Sequence, residues 1–389
     1  MNILVITPFY RIEGRPDLIQ DTSAVHYLVK PWAKEHNVRV IYIYRNYFRK
    51  ITRYLDGKAR QYYSRGYEYQ ADGVNVFLIE EQRVFKQPLF IDRFQGKRIR
   101  RMISGYLAKY DFIPDLVITH IPTETDGMIE GMFAGTHKVA VLHSSDVKFC
   151  DSDSKRYDLL KHNHDYYFAR SRGIRDYFLN RGMDNVSREL ILSGVPKVET
   201  VIRDCLKPHK FRIVYAGKFI PRKHIDLAVK ALAILKDKYS FQFDLYGVGR
   251  EESKIRLLAQ DLLGDIAIFH GQVSRDEMLK IMEEADIFIM PSTQETFGLV
   301  YIEAMSKGCI PIGVEGEGID GVIQDGVNGF LVLPNSVKNI VEKLTAIFQM
   351  DEQGYKSFVQ EVMRYGGVYN ETDMGYRYLN LILNSSAQE

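Results

Sequence analysis

Short apolar runs rich in Val, Ile and Tyr alternate with helical patterns along nearly the whole chain. In the first half they are Ile3–Thr7, Val38–Tyr44, Val74–Ile79, Leu116–Thr119, Val139–His143 and Tyr166–Ala169, with a further one near Glu189–Leu192. The second half carries Phe211–Gly217, Gln242–Gly247, Ala267–Gly271, Ile287–Pro291, Ile310–Val314 and Gly329–Val332. Runs this short and uniformly apolar predict strands covered by helices on both faces, the doubly wound parallel α/β sheet. The series restarts at Phe211, after an aperiodic stretch with charges and Pro208. The expected organisation is therefore a domain over 1–195, a linker over 196–210 and a second domain over 211–370. Tyr376, Leu379, Leu381, Ile382 and Leu383 predict one last helix. Two such domains imply a cleft between the carboxyl ends of their strands, where ligands of these folds bind.

Composition narrows the class. The chain has 389 residues, 46% hydrophobic and 26% charged, which suits a folded protein with ample core material. A net charge of +2 gives no global field toward nucleic acid, and no nucleic-acid motif is present. Cys150, Cys205 and Cys309 are too few and too dispersed for a disulfide framework or a cysteine zinc site. The opening Met1–Pro8 reads as a buried strand rather than a signal peptide, and no window is apolar enough to span a membrane. The expectation is a cytoplasmic protein. Charge is locally uneven: Arg45–Lys109 holds 15 basic and 6 acidic residues, interleaved with tyrosines, and Arg93–Tyr110 has no acid at all. Either this is a solvated helix face, or Arg93–Lys109 makes peripheral contact with an anionic membrane or a lipid-linked acceptor, on the inner face of the membrane.

Candidate chemistry concentrates in the second half. In Pro291-Ser-Thr-Gln-Glu295-Thr296-Phe297-Gly298-Leu299-Val-Tyr-Ile-Glu303 a strand ends, a polar loop follows and a helix begins near Phe297 or Gly298. Eight residues of helix rise about 12 Å, so Glu295 and Glu303 would reach two ends of an elongated ligand. A helix N-terminus between them favours an anion. Carboxylate, phosphate seat and carboxylate together suit a nucleotide sugar. Upstream, Gly217-Lys218-Phe-Ile-Pro-Arg222-Lys223 follows the first strand of this domain and would set Lys218 and Lys223 on a leaving diphosphate. Arg222, being adjacent, would point elsewhere. Lys223 is expected to be an exposed charge whose removal leaves the fold intact. Gly247-Val-Gly249 is a tight turn near base or phosphate, but it lacks the third glycine of a dinucleotide fingerprint. In the first half, His143 stands where a strand should end, which favours a role in the cleft. Asp151-Ser-Asp153 has the spacing of a metal pair but no strand leading in, and no metal is expected.

These residues together resemble the retaining glycosyltransferases of family 4, which have the two-domain GT-B fold. Gly217-Lys218…Arg222-Lys223 is similar to that family's Gly-Arg…Lys turn, and Leu245-Tyr-Gly247-Val-Gly249 to its glycine turn. Phe269-His-Gly271 with Met278–Asp286 is similar to its F-x-G strand and the helix after it. Glu295–Glu303 fits its E-x7-E signature, and Glu317–Gly329 its segment ending in D-G-x-N-G. Val139–His143 and Ile191–Val195 match more loosely in the first half. Two departures stand out. Asp21-Thr22-Ser23-Ala24 replaces the usual paired glycines, and Lys218 replaces the arginine, turning a fork into a point charge.

The resemblance implies transfer of a sugar from a nucleotide-sugar donor to an acceptor hydroxyl with retained configuration and without metal or other cofactor. A growing polysaccharide or glycolipid is the expected acceptor. It further implies acceptor binding in the first domain, donor binding in the second, and a last helix, 371–389, that crosses back onto the first. His143, Lys218, Lys223 and Glu295 would be catalytic, with Glu295 on the donor sugar's hydroxyls and His143 near the reacting carbon. Gly217, Gly247, Gly249, Thr296, Phe297, Gly298, Leu299 and Glu303 would hold the donor, Glu303 by its ribose. The rival readings are a nucleotide-sugar epimerase on the same fold and a non-catalytic nucleotide-sugar-binding scaffold. The first would turn over donor alone. The second sits poorly with a full set of charged site residues.

Overall fold

The structure, a computed structural model, describes residues 1–18, 23–47, 62–83, 91–152, 154–196 and 206–385. It divides into two units. Unit 1 comprises Met1–Arg170, Ile174–Ser193 and Glu371–Glu389, and unit 2 comprises Ser171–Gly173 and Gly194–Asn370.

Unit 1 is built on an eight-stranded sheet. Its strands are β1 (Asn2–Thr7), β2 (Asn37–Tyr47), β3 (Tyr67–Ala71), β4 (Val74–Arg83), β5 (Leu116–His120), β6 (His137–Leu142), β7 (Tyr166–Ala169) and β8 (Val186–Leu190), in the order β3-β4-β2-β1-β5-β6-β7-β8. Every pairing is parallel except β3 with β4. Helices cover the faces: Leu4, Ile6, Ile41, Ile43 and Val117 pack on Ile99 and Ile103 of the Ile91–Lys109 helix. The β3–β4 hairpin is absent from the apolar pattern because Tyr67–Ala71 alternates between half-buried and exposed positions. Its signal is the turn instead. Asp72 and Gly73 both have positive φ (46° and 84°), the two-residue geometry that Asp-Gly favours. The eighth strand lies at Val186–Leu190, three residues earlier than the apolar content of 189–192 suggests.

The closing Glu371–Ser385 helix belongs to unit 1. Trp32 Nε1 donates to Gly375 O (2.7 Å), Lys30 pairs with Glu371 (2.9 Å), and the Trp32 and Tyr378 rings meet edge to face.

Unit 2 holds a six-stranded, all-parallel sheet of β9 (Phe211–Ala216), β10 (Phe241–Tyr246), β11 (Ala267–Gly271), β12 (Ile287–Ile289), β13 (Ile310–Val314) and β14 (Phe330–Val332). Their order is β11-β10-β9-β12-β13-β14. Ile225, Ala228, Val229, Leu232 and Leu235 give the Ile225–Leu235 helix one apolar stripe, the i, i+3, i+4, i+7 spacing that buries a helix on a sheet. Strand order reverses between β9 and β12. The chain leaves adjacent strands there toward opposite faces, and this opens a crevice at their carboxyl ends.

Candidate active site

Two loops meet at that reversal, the one after β9 and the one after β12. Thr293 N donates to Arg222 O (2.8 Å), and the His224 ring bonds Thr293 Oγ1 (2.8 Å). The first loop makes a single 3₁₀ turn at Pro221–Lys223 and then passes through His224 at φ 46°. This tight turn brings Arg222 and Lys223 onto one atom. Glu295 Oε2 accepts from Lys223 Nζ (2.6 Å), Arg222 Nη1 (3.0 Å) and Ser292 Oγ (3.1 Å).

Arg222 and Lys223 both depart from what the sequence predicts. Adjacency does not send Arg222 elsewhere, because a 3₁₀ turn gathers neighbouring side chains that a helix or strand would separate. Nor is Lys223 an exposed charge: its side chain is 10% accessible, and that of Glu295 15%. Burial depresses the Lys223 amine. Burial also pushes the Glu295 carboxyl up, but Lys223 and Arg222 outweigh it and hold the group below its ordinary value. With three donors on one oxygen, the pair is charged. Lys218 follows Gly217 at the start of the same loop, and its side chain is exposed.

The backbone around Glu295 is equally constrained. Its N–H donates to Glu317 Oε2 (2.8 Å), and its carbonyl accepts from Gly318 N (2.9 Å). Gly318 lies so close to the Thr296–Phe297 backbone that a Cβ there would overlap it. Phe297 is buried, Gly298 turns at φ 78°, and Leu299 opens the Leu299–Ser306 helix. On that helix Glu303 Oε1 accepts from Arg275 Nε (2.6 Å). Burial raises the Glu303 carboxyl, against the pull of Arg275. A reciprocal capping box between Ser274 and Glu277 sets Arg275 at the first position of its own helix.

Gly247 and Gly249 are required by packing within the domain. A Cβ on either would run into backbone of the Gly217–Phe219 segment. Gly217 N donates to Tyr246 O and Phe219 N to Val248 O, both at 3.0 Å, and Gly247 N donates to Gly271 O (2.6 Å). The glycine turn is therefore the bed on which the lysine-bearing loop lies.

In unit 1, His143 directly follows β6 and is 9% exposed. Its backbone N–H donates to Asp146 Oδ2 (2.7 Å), and Asp146 Oδ1 accepts from Thr123 N (3.1 Å) and Thr123 Oγ1 (2.5 Å). Burial pushes the Asp146 carboxyl up to about 7. The His143 ring meets His120 at the end of β5, with Nε2 3.1 Å from His120 Nδ1. His120 Nε2 lies 3.1 Å from the Tyr378 hydroxyl. Burial, then the nearby Arg170 charge, lowers His120 to about 3.

Residues 201–361 match the family described as glycosyl transferases group 1. Among curated proteins, the chain is 25% identical over 359 residues to the UDP-N-acetylglucosamine–peptide N-acetylglucosaminyltransferase GtfA subunit of Streptococcus pneumoniae, a match covering 86% of this chain and 67% of that protein. The next glycosyltransferase relatives align over 27% to 38% of their own length. Two solved structures share the fold along nearly the whole chain. They are sucrose-phosphate synthase from Thermosynechococcus elongatus (TM-score 0.72, 18% identity, 100% of each chain) and Anabaena HepE in complex with UDP and glucose (TM-score 0.67, 15% identity, 99% of this chain and 100% of HepE). The fold is GT-B, and residues 201–361 are a glycosyltransferase group 1 domain.

Several residues at this site carry no signal, or an unused one, in the sequence. Ser292 and Glu317 lie in the Pro291–Glu303 and Glu317–Gly329 segments but carry no spacing rule of their own, and Arg275 is one more surface arginine until the fold brings it to Glu303. His120 had a usable signal, since it directly follows the predicted Leu116–Thr119 strand, at a sheet edge like that of His143. Tyr378, 258 positions away, had none. Among the described residues no group of His, Cys, Asp or Glu is arranged to hold a metal; Asp153 lies outside them, as do Asp21 and Thr22 of the first loop, Cys205, and 48–61 of the aromatic-basic insert. No helix among the described residues is long and apolar enough to cross a membrane. On the basic Ile91–Lys109 helix, Arg98 donates to Tyr63 O (2.6 Å) and Glu80 O (2.5 Å), and Arg100 donates to Gly127 O (3.0 Å), whereas Lys97 and Arg101 are exposed.

Proposed function

We propose that the chain is a retaining, family 4 glycosyltransferase that moves a sugar from a nucleotide-sugar donor to an acceptor hydroxyl without a metal ion. The observation that carries this reading is the buried Lys223–Glu295 pair at the strand-order reversal of unit 2, next to the start of the helix that bears Glu303. A diphosphate leaving group develops negative charge as the glycosidic bond breaks. Lys223 is a fixed cation in a water-poor loop, and Lys218 and Arg222 supply further positive charge around it. Glu295, held by three donors on Oε2, keeps lone pairs for sugar hydroxyls. Glu303 engages Arg275 through Oε1 and has Oε2 for the ribose hydroxyls. His143 is assigned to the donor sugar. The S. pneumoniae relative is named for UDP-N-acetylglucosamine and the HepE structure holds UDP and glucose, which puts UDP-sugars first among candidate donors.

The acceptor belongs to unit 1 in this reading, as a lipid-linked or growing polysaccharide chain in cell-surface polysaccharide or glycolipid synthesis. The exposed Lys97 and Arg101 would then rest against anionic headgroups on the cytoplasmic side. The test is a binding and hydrolysis screen of the full chain against UDP-, GDP-, ADP- and dTDP-sugars with and without EDTA. The expected result is saturable binding of one nucleotide sugar, insensitive to EDTA and lost in Glu303→Ala. Binding that survives Glu303→Ala overturns the donor assignment, and activity abolished by EDTA overturns metal independence.

A further inference from the structure

We propose that Tyr378 and His120 are positioning residues that lock His143 in its neutral Nδ1–H tautomer, so that it presents a hydrogen-bond donor at the carboxyl end of β6. The inference rests on the reading of His143 as a donor-sugar contact and deepens it. The group His143 receives becomes an acceptor oxygen of the sugar, and a helix 235 residues further along the chain becomes part of the reason.

The number of protons on the two rings fixes the direction of each bond. His120 uses both ring nitrogens, Nδ1 toward His143 Nε2 and Nε2 toward the Tyr378 hydroxyl, each at 3.1 Å. All three groups are buried, and the buried Arg170 guanidinium at the end of β7 adds a positive charge beside them. Both imidazoles are therefore neutral, and a neutral ring has one donor and one acceptor nitrogen. Only two arrangements satisfy the chain of bonds. In the first, Tyr378 O–H donates to His120 Nε2, His120 Nδ1–H donates to His143 Nε2, and His143 carries its proton on Nδ1. In the second every bond runs the other way, and the Tyr378 hydroxyl proton must find a different acceptor.

Among the described residues the Tyr378 hydroxyl has no other hydrogen-bond partner, so the second arrangement strands a buried O–H. The Arg170 charge works in the same direction, because it attracts the phenol oxygen's lone pairs and turns the O–H dipole away from itself, toward His120. The first arrangement is therefore selected. Nothing among the described residues bonds His143 Nδ1, so that N–H is what the ring has to offer.

The test is a long-range ¹H–¹⁵N spectrum of the full chain labelled at histidine nitrogens, with His120 and His143 assigned by His120→Gln and His143→Ala. The expected spectrum shows His143 protonated on Nδ1 and bare on Nε2, with His120 the same. Tyr378→Phe should redistribute both tautomers and lower kcat about 10–100-fold, the range found when the partner that fixes a ligating histidine's tautomer is removed, while leaving the affinity for UDP unchanged. In the otherwise wild-type chain His120→Gln should retain most of the rate, because its amide donates toward His143 while its oxygen accepts from Tyr378; His120→Phe should not. A wild-type spectrum with the His143 proton on Nε2 overturns the proposal. So does a Tyr378→Phe spectrum that leaves both rings unchanged. If the tautomers are as stated but His143→Ala turns over at the wild-type rate, the relay stands and the donor-sugar role of His143 falls.

Discussion

Lys223→Met keeps most of the side-chain volume and removes only the charge. In the wild type, Nζ is 2.6 Å from Glu295 Oε2. At an effective dielectric near 20, a pair at that distance attracts by about 6 kcal/mol. Desolvation of two buried ions offsets much of this, and losing one partner of a buried pair costs about 3–5 kcal/mol. Here the loss is smaller, because Arg222 Nη1 still reaches the same oxygen at 3.0 Å. Arg222 is 40% exposed, so solvent screens that contact and it compensates only in part. The expected destabilisation is about 2–4 kcal/mol, which for a unit of this size lowers Tm by roughly 4–15 °C.

Turnover should fall further than stability suggests. A fixed charge aimed where negative charge develops contributes about 10²–10³ in kcat. The assay is steady-state transfer, or donor hydrolysis where the acceptor is unknown, with donor Kd and a thermal melt on the same preparation. A large loss of kcat at nearly constant donor Kd supports stabilisation of the leaving group. A kcat within about threefold of wild type refutes that role, and an unchanged Tm refutes the buried, strongly coupled pair.

Gly249→Ala should push the Phe219 backbone aside and displace the lysine loop, costing about 1–3 kcal/mol and lowering turnover; a crystal structure of the variant with the loop unmoved would contradict this. The His120 ring, held at about 3 by burial, should make folding acid-sensitive. The native ring stays neutral while the unfolded chain takes up a proton below about 6.5, so stability is full above that pH and falls as pH drops toward 3. Urea titrations across that range should show a flatter pH dependence for His120→Gln, by about one proton. Gly375→Val should detach the last helix from Leu28 and Pro31, where even a Cβ would lie 2.7 Å from Leu28 O and 2.8 Å from Pro31 Cγ, and should increase proteolysis at the C-terminal end. Charge reversal at Lys97 and Arg101 should weaken flotation with anionic vesicles, most at low salt; equal flotation removes the membrane contact from the proposal.

Much of this molecule was legible in one dimension. All thirteen runs read as strands fall on strands, the one at 189–192 displaced by three residues; most of these strands are buried on both faces and so apolar at nearly every position, although Ala267–Gly271 was legible while half exposed. The hairpin strand Tyr67–Ala71 escaped that rule by being half exposed, and only its Asp-Gly turn marked it. Glu295, Glu303 and Lys223 could be singled out as candidates by their place after predicted strands and by the E-x7-E resemblance. Their spacing indicated where they sit along the chain and nothing about which atoms they touch.

Contact was decided by tertiary structure. A 3₁₀ turn put Arg222 beside Lys223 on one carboxylate oxygen, and the reversal of strand order placed the loops after β9 and β12 side by side although some 70 residues separate them. The same holds for the three-ring relay, in which the last helix docks on Trp32 and so delivers Tyr378 to His120. Periodicity along a chain records which face of an element is buried, since burial is a property each residue expresses through its own hydrophobicity. A hydrogen bond between distant residues leaves no such mark, because either partner alone is an ordinary polar residue until the fold supplies the other.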